Sequence, residues 1–314
     1  MAKRILFVMD PLEDLSWKWD NSLNLLREFA ARGHTVWASD SHEIRFEIDT
    51  VMASTRQIYP AAGDGFKGSA TRSLPVESFD LVLIRKNPPF DFSYLYLTYL
   101  LELVARRVPV SNHPRGIRNA NEKLSVLNFP KWIPKSIVSC STEQILRFKN
   151  ELPGDLVLKP LHRKGGEGIV RLRRAESKKM SVPKINKLTL NGKTFVIAQE
   201  FIESKKTIGD KRIVLLNGEI LVAYEKHPPR GDFRSNLGLG GTWNSTQITA
   251  KERRLVRDLK PYLVREGLHF AGIDVMEEKL LEINVTSPAG LTEARTLYPR
   301  LEAVKSWADF LESL

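Results

Sequence analysis

Three oxygen-bearing side chains, Asp274, Glu282 and Asn284, sit in the segment "GIDVMEEKLLEINVTSP" (272–288). The apolar residues around them predict a β-hairpin turning near Glu277–Lys279, which sets Asp274 opposite Glu282. Glu282 and Asn284 are two apart and share a strand face. Two carboxylates and an amide on one sheet surface repel one another and lose hydration. The expectation is that a hard cation neutralises them, and Mg²⁺ takes such oxygen ligands beside substrate phosphates.

Phosphates need cations and backbone N–H groups. Lys123 lies in "NANEKL", Lys159 ends the run "DLVLK", and Arg212 opens "GDKRIVLL". A lysine ending an inward strand must be paired or solvated, although it can also snorkel. The loop "KGGEG" (164–168) offers N–H groups that can close over phosphate oxygens, or it is a plain hairpin turn.

The elements that must carry these residues change character along the chain. "RILFVMD", an amphipathic helix over 21–32 stopped by Gly33, "HTVWASD", "FDLVLIRKNPPFD", the helix "YLYLTYLLELVARR" and "VPVSNHP" alternate strand and helix. That alternation predicts an open parallel sheet with functional residues at the C-terminal ends of its strands; 61–73 is expected to be a loop. Beyond about residue 118 the pattern becomes α+β. "DLVLKP", "GIVRLRR" and "TFVIAQEFI" read as strands, Asn217-Gly218 marks a hairpin, and a helix over 250–266 ends at Gly267.

The chain has 314 residues, 42% hydrophobic and 27% charged, the composition of a globular protein with a sizeable core. No apolar run approaches the ~20 residues that span a bilayer. The formal net charge of +11 is scattered. Its densest groups, "RLRRAESKK" (171–179) and "KERRLVRDLK" (251–260), lack the aromatics of a single-strand platform. The second reads as an amphipathic helix with Leu255 and Leu259 inward. Anionic small molecules are therefore the expected partners, with no nucleic acid and no membrane. Cys140 is the single cysteine, which suits a reducing cytoplasm. The six histidines form no metal-ligand spacing.

Taken in order, "VMDP" (8–11), "RKNPPFD" (85–91), "NEKL" (121–124), "LKPL" (158–161), Gly165-Gly166, "GDKR" (209–212), Arg234 and Asn236 before "GLGG", and "GIDV…LEINVTSP" resemble the prokaryotic glutathione synthetases of the ATP-grasp superfamily. The resemblance runs nearly end to end. It implies a Rossmann-like N-terminal (pre-ATP-grasp) domain over 1–118, a lid and central domain over 119–200, and a catalytic domain over 201–314, with antiparallel sheets and a mobile lid.

It implies roles as well. Lys123 and Lys159 would hold ATP phosphates under Gly165 and Gly166; Glu200, Phe201 and Ile202 would receive the adenine beside Gln199, with Asp210 near the nucleotide. Arg212, Arg234 and Asn236 would meet the transferring phosphoryl group. Asp274, Glu282 and Asn284 would bind two Mg²⁺ ions, or Mn²⁺ in their place, and Ser287, Asp20 and Arg85 would face the peptide substrate. The implied reaction joins γ-glutamylcysteine to glycine; the alternatives are the same chemistry on another peptide or amino-acid pair, and a non-catalytic nucleotide-binding protein or basic nucleic-acid binder. The implied assembly is a homo-oligomer, by analogy a tetramer.

Residue by residue, other readings stand beside these: Asp20 as the N-cap of the following helix, Arg85 as a structural strand-end charge. The sequence also departs from the family pattern. His162, Arg163 and Lys164 precede the glycines where an Asp-Gly pair is usual, Lys226 stands where Arg is usual, and Asn87 replaces Asp. Those changes bear on the substrate more than on the nucleotide.

Overall fold

Ile5 to Val8 are completely buried, and the strand they form is the middle of the first sheet. The computed structural model describes residues 1–15, 20–61, 65–163, 165–203, 209–232, 234–235 and 240–314. The N-terminal stretch runs β1 (Arg4–Met9), α1 (Asn21–Ala31), β2 (Thr35–Asp40), β3 (Ile44–Glu47), β4 (Thr50–Pro60), β5 (Phe66–Gly68), β6 (Arg72–Pro75), β7 (Leu81–Arg85), α2 (Phe92–Val104), β8 (Val110–Ser111) and α3 (Pro114–Asn119). The sheet order is β3-β4-β2-β1-β7-β8.

Strands β2, β1, β7 and β8 are parallel, as the strand–helix alternation requires. The rest departs from the expected all-parallel sheet. Strand β4 runs antiparallel to β2 and β3, and β5 and β6 pair with it as well. Much of the segment expected to be a loop over 61–73 is therefore edge strand, apart from 62–64, which lie outside the described residues. Short polar strands such as "FKG" have no periodic signal; their pairing to the long β4 makes them strands.

A four-stranded antiparallel sheet follows, in the order β11-β10-β12-β9. It comprises β9 (Ser136–Ser139), α4 (Thr142–Glu151), β10 (Leu156–Pro160), β11 (Val170–Leu172), α5 (Lys178–Leu188) and β12 (Val196–Glu200). Its core, Ile145, Leu152, Leu156, Leu158, Leu172, Ile185, Val196 and Ala198, is its own.

The last sheet is β13 (Lys211–Leu216), β14 (Glu219–His227), β15 (Thr242–Ser245), then after α6 (Ala250–Arg265) β16 (Phe270–Met276) and β17 (Lys279–Asn284). Its order is β15-β14-β13-β16-β17, and α7 (Leu291–Leu297) and α8 (Ala303–Glu312) close the chain. Helix α6 starts on a Thr249/Glu252 capping box and turns Leu255, Leu259 and Leu263 fully inward.

The two larger cores are shared between the first and last sheets: Leu6 and Val8 pack with Ile213 and Ile273 in one, Phe7 and Leu25 with Phe270 and Trp307 in the other. The Asn112 side chain clips the same sheets together, its Nδ2 donating to Phe270 O (2.7 Å) and Val285 O (2.8 Å) while Phe270 N donates to its Oδ1 (2.8 Å).

Candidate active site

The hairpin forms as its sequence demands. Glu277 and Glu278 take positive φ at the turn, Asp274 pairs with Glu282, and Gly272 pairs with Asn284. The electrostatics differ from expectation. Asp274 is neutralised by the protein itself. Arg212 grips it with two bonds, Nε to Oδ1 at 2.8 Å and Nη2 to Oδ2 at 3.1 Å, because Arg212 is its register partner on β13. Lys226 Nζ adds a third at 3.0 Å and pairs with Asp210 at 2.6 Å. Asn284 Nδ2 donates to Asp274 Oδ2 (3.3 Å) and Gly272 O (3.2 Å).

Burial opposes the Asp274 charge, but Arg212 and Lys226 outweigh it and hold the carboxyl well below its usual range. Asp210 moves the other way: burial outweighs Lys226 and pushes it up. The expectation of a self-repelling trio fails because Arg212, the register partner on β13, and Lys226 on β14, one strand further, turn their charges onto Asp274.

Gly272 makes room for this arrangement. A Cβ there would lie 2.7 Å from Arg212 Nη1. Gly272→Ala is expected to push the guanidinium off Asp274 and lower kcat about 100-fold, the cost of misplacing a catalytic group by ~1 Å. Steady-state kinetics with a far-ultraviolet circular dichroism control checks it.

Glu282 keeps its carboxylate available. Among the described residues its one ion-pair partner is Lys123 Nζ, at 3.8 Å, and both side chains line a cavity of about 320 Å³. Most of the expected residues meet there: Lys159, Gly165, Gly166, Gln199, Glu200, Phe201, Ile202, Asp210, Arg212, Arg234, Asp274, Asn284 and Ser287. Lys159 is buried at the end of β10, and burial lowers its pKa below the lysine norm. Lys123 Nζ donates to Arg163 O (2.7 Å) and Arg234 Nη1 to Gly166 O (3.1 Å), so two cations already hold the glycine loop by its carbonyls. Gln199 donates through Nε2 to Ser136 Oγ (3.0 Å), while its Oε1 is buried with no partner among the described residues. A donor from a ligand would relieve that cost of ~1–3 kcal/mol.

Two expected residues, Asp20 and Arg85, are not on the wall. Asn236 lies outside the described residues, as does Lys164 of the loop. Asp20 is the N-cap of α1, accepting from Ser22 N (2.7 Å) and Leu23 N (3.1 Å). Arg85 is buried; it donates to Ser22 Oγ (2.9 Å) and Pro288 O (3.4 Å) and lies over the Trp307 ring at 5.1 Å. It supports the Ser287–Pro288 loop from beneath.

The wall also holds residues to which the sequence assigned no role. Glu122 is one: it is half-buried, accepts from Thr286 Oγ1 (2.8 Å), and is pushed up by desolvation and then by Glu282. It stood inside "NEKL", next to the lysine that drew attention. Arg163 and Glu167, ion-paired with each other, line the cavity from the glycine loop.

A phosphate-sized set of cations, a glycine loop and an acidic hairpin between two antiparallel sheets define an ATP-grasp ligase, an ATP-dependent enzyme that forms a C–N bond. Solved structures bear out the fold: the chain aligns with the D-cycloserine synthetase DcsG at a TM-score of 0.68, covering 98% of this chain and 99% of that one at 16% identity, and with the ATP-grasp ligase PsnB at 0.62, covering 99% of each at 18% identity.

Residues 4–118 match the N-terminal domain of the prokaryotic glutathione synthetase family and residues 122–299 its ATP-grasp domain. The glutathione synthetase of Gloeobacter violaceus is 38% identical over 302 residues, 94% of this chain and 92% of its own. That of Coxiella burnetii is 34% identical over 317 residues, 100% of this chain and 97% of its own. The chain belongs to the prokaryotic glutathione synthetase family.

Proposed function

We propose that the chain joins γ-glutamylcysteine to glycine, releasing ADP and phosphate. The observation that carries this reading is the convergence of Lys123, Lys159, Arg212, Arg234, Glu282 and Asn284 on one cavity in a chain of this family. A carboxylate is a poor electrophile. Its oxygen therefore attacks the γ-phosphorus of ATP, ADP leaves, and an acyl phosphate forms; the amine nitrogen then attacks the acyl carbon, loses a proton, and phosphate departs. Lys123, Lys159, Arg212 and Arg234 bring two anions together and offset charge that builds during transfer. The glycine loop over Gly165 and Gly166 excludes water that would hydrolyse the acyl phosphate.

The adenine fits against the backbone of Glu200–Ile202, with Gln199 Oε1 as an acceptor for its amino group. Asp210 stays near the nucleotide, and Asn236 meets the phosphoryl group. Ser287 faces the peptide, with Asp20 and Arg85 on its supporting side. The donor set suits a hard divalent cation: Glu282 is an accessible carboxylate, Asn284 adds an amide, and Asp274 is held ionised. These three residues would hold Mg²⁺, two ions by the family pattern, which supplies charge neutralisation at the phosphates. Arg163 lies where the loop departs from the family pattern, so the acceptor amine is the part of the substrate it bears on.

Phosphate release from purified protein with ATP, Mg²⁺, γ-glutamylcysteine and a panel of amines is the test. Glycine-dependent release is expected; absence of stimulation by γ-glutamylcysteine removes the reading. Among the described residues no helix is long and apolar enough to cross a membrane, and a single cysteine suits the reducing cytoplasm we assign to the enzyme.

A pH effect follows from Lys159. Its lowered pKa means that the charged form, which the phosphates need, is complete below that value and lost as pH rises through it. ATP affinity is expected to weaken by up to about tenfold per unit above it. Lys159→Arg stays charged and is expected to hold its affinity as pH rises through that range; KM for ATP against pH distinguishes the two.

A further inference from the structure

The side-chain amide of Gln199 could present either of its ends to the cavity, and the residues behind it select one. Gln199 is 2% exposed and lines the cavity. Its neighbours in the strand, Ala198 and Val196, belong to the core shared with Ile145 and Ile185 on the opposite face of the sheet. The residue directly across the strand pair is Ser136 on β9.

Gln199 Nε2 donates to Ser136 Oγ (3.0 Å), and Ser136 Oγ donates in turn to Pro134 O (2.8 Å). A hydroxyl has one proton. With that proton on Pro134 O, Ser136 Oγ can only accept, so it takes the NH₂ end of the amide. A reversed amide would set its oxygen against the lone pairs of the hydroxyl or draw the proton off Pro134, which is itself buried. Either arrangement loses a hydrogen bond in a buried place. Glu200 N, next in the chain, donates to Lys135 O (2.9 Å) and keeps the end of β12 in step with this segment.

The relay decides what the cavity wall offers. Gln199 Oε1 is left buried with no partner among the described residues. It presents lone pairs and no proton. Adenine carries an amino group at position 6, which donates; guanine and hypoxanthine carry a carbonyl there, which accepts. Two acceptors facing each other in a dry site both go unpaired, and a site built to hydrogen-bond one group rejects the analogue that lacks it.

We propose that Ser136 is the positioning residue that fixes the Gln199 amide and thereby sets the preference of the site for adenine over 6-oxopurines. Ser136 is not on the cavity wall and acts through Gln199. This role rests on the placement of adenine against Glu200–Ile202.

The test is isothermal titration of the full chain with ATP and with ITP, each with Mg²⁺ and without dipeptide. The wild-type protein is expected to bind ATP about 100-fold more tightly than ITP. Ser136→Ala frees the amide to turn either end to the base. ATP binding is expected to weaken and ITP binding to tighten, so that the ratio falls about tenfold or more. Ser136→Thr keeps the hydroxyl and is expected to keep the wild-type ratio. General loosening of the site would instead weaken both nucleotides together. A wild-type chain that binds ITP as tightly as ATP, a ratio unaltered in Ser136→Ala, or parallel weakening of both nucleotides would each overturn the role of Ser136. Because binding is read without turnover, failure of γ-glutamylcysteine to stimulate phosphate release would remove the substrate assignment and leave this ratio as it is. An unaltered ratio would leave that assignment in place.

Discussion

Glu282→Gln is expected to lower ADP formation about 10³-fold or more with the fold intact. The side chain has the volume and shape of glutamine, and among the described residues no hydrogen bond reaches its carboxylate. Its one ion pair among the described residues, with Lys123 at 3.8 Å, is long and contributes little to stability. The charge is therefore present for what enters the cavity. Under the proposed reading it holds divalent metal against the phosphates, and an uncharged amide binds Mg²⁺ poorly. Turnover in saturating ATP and Mg²⁺, with a urea titration alongside, checks both halves. Undiminished ADP release would remove Glu282 from the metal site.

Asp274→Asn is expected to fail differently, losing stability as well as turnover. Asp274, Asp210, Arg212 and Lys226 form a buried group of two anions and two cations. Deleting one anion leaves Arg212 and Lys226 with Asp210 alone, and breaking a buried pair in this way costs about 3–5 kcal/mol. The urea midpoint should fall accordingly, while Glu282→Gln leaves it in place. The pH dependence has a definite sign. Because the folded-state pKa of Asp274 lies below its unfolded value, its contribution is present above the unfolded pKa and lost as pH falls through the folded one. The wild-type protein should thus keep this stabilisation through mildly acid solution, and the variant should lack it at every pH above that window. An unaltered urea midpoint for Asp274→Asn would show that the cluster is not a structural unit.

The hairpin register was legible because it rests on alternation and on two residues at a turn. The same holds for α6, whose Thr249/Glu252 box and leucines spell out start, length and buried face. What the sequence concealed was which charges face one another. Arg212 and Lys226 are far from Asp274 along the chain, and only the order β14-β13-β16 puts both over it. Loop 61–73 was misread for a related reason: β5 and β6 are strands because β4 offers its edge, and nothing in "FKG" announces a partner. Arg85 carried a real signal, a charge after an apolar run, but the chain does not say which way it points; it points beneath the Ser287–Pro288 loop. Glu122 shows the reverse case, a wall residue overlooked beside Lys123.

The Asn112 clip and the two shared cores have a mechanical consequence. The first and last sheets are fused into a single base, since separating them would open apolar interior and strip three hydrogen bonds from one amide. The sheet of β9 to β12 keeps its own interior and is entered from that base through the short segment near Lys135. Any swing that admits a triphosphate to the cavity therefore costs least as a hinge there, with the acidic hairpin staying still and the glycine loop travelling.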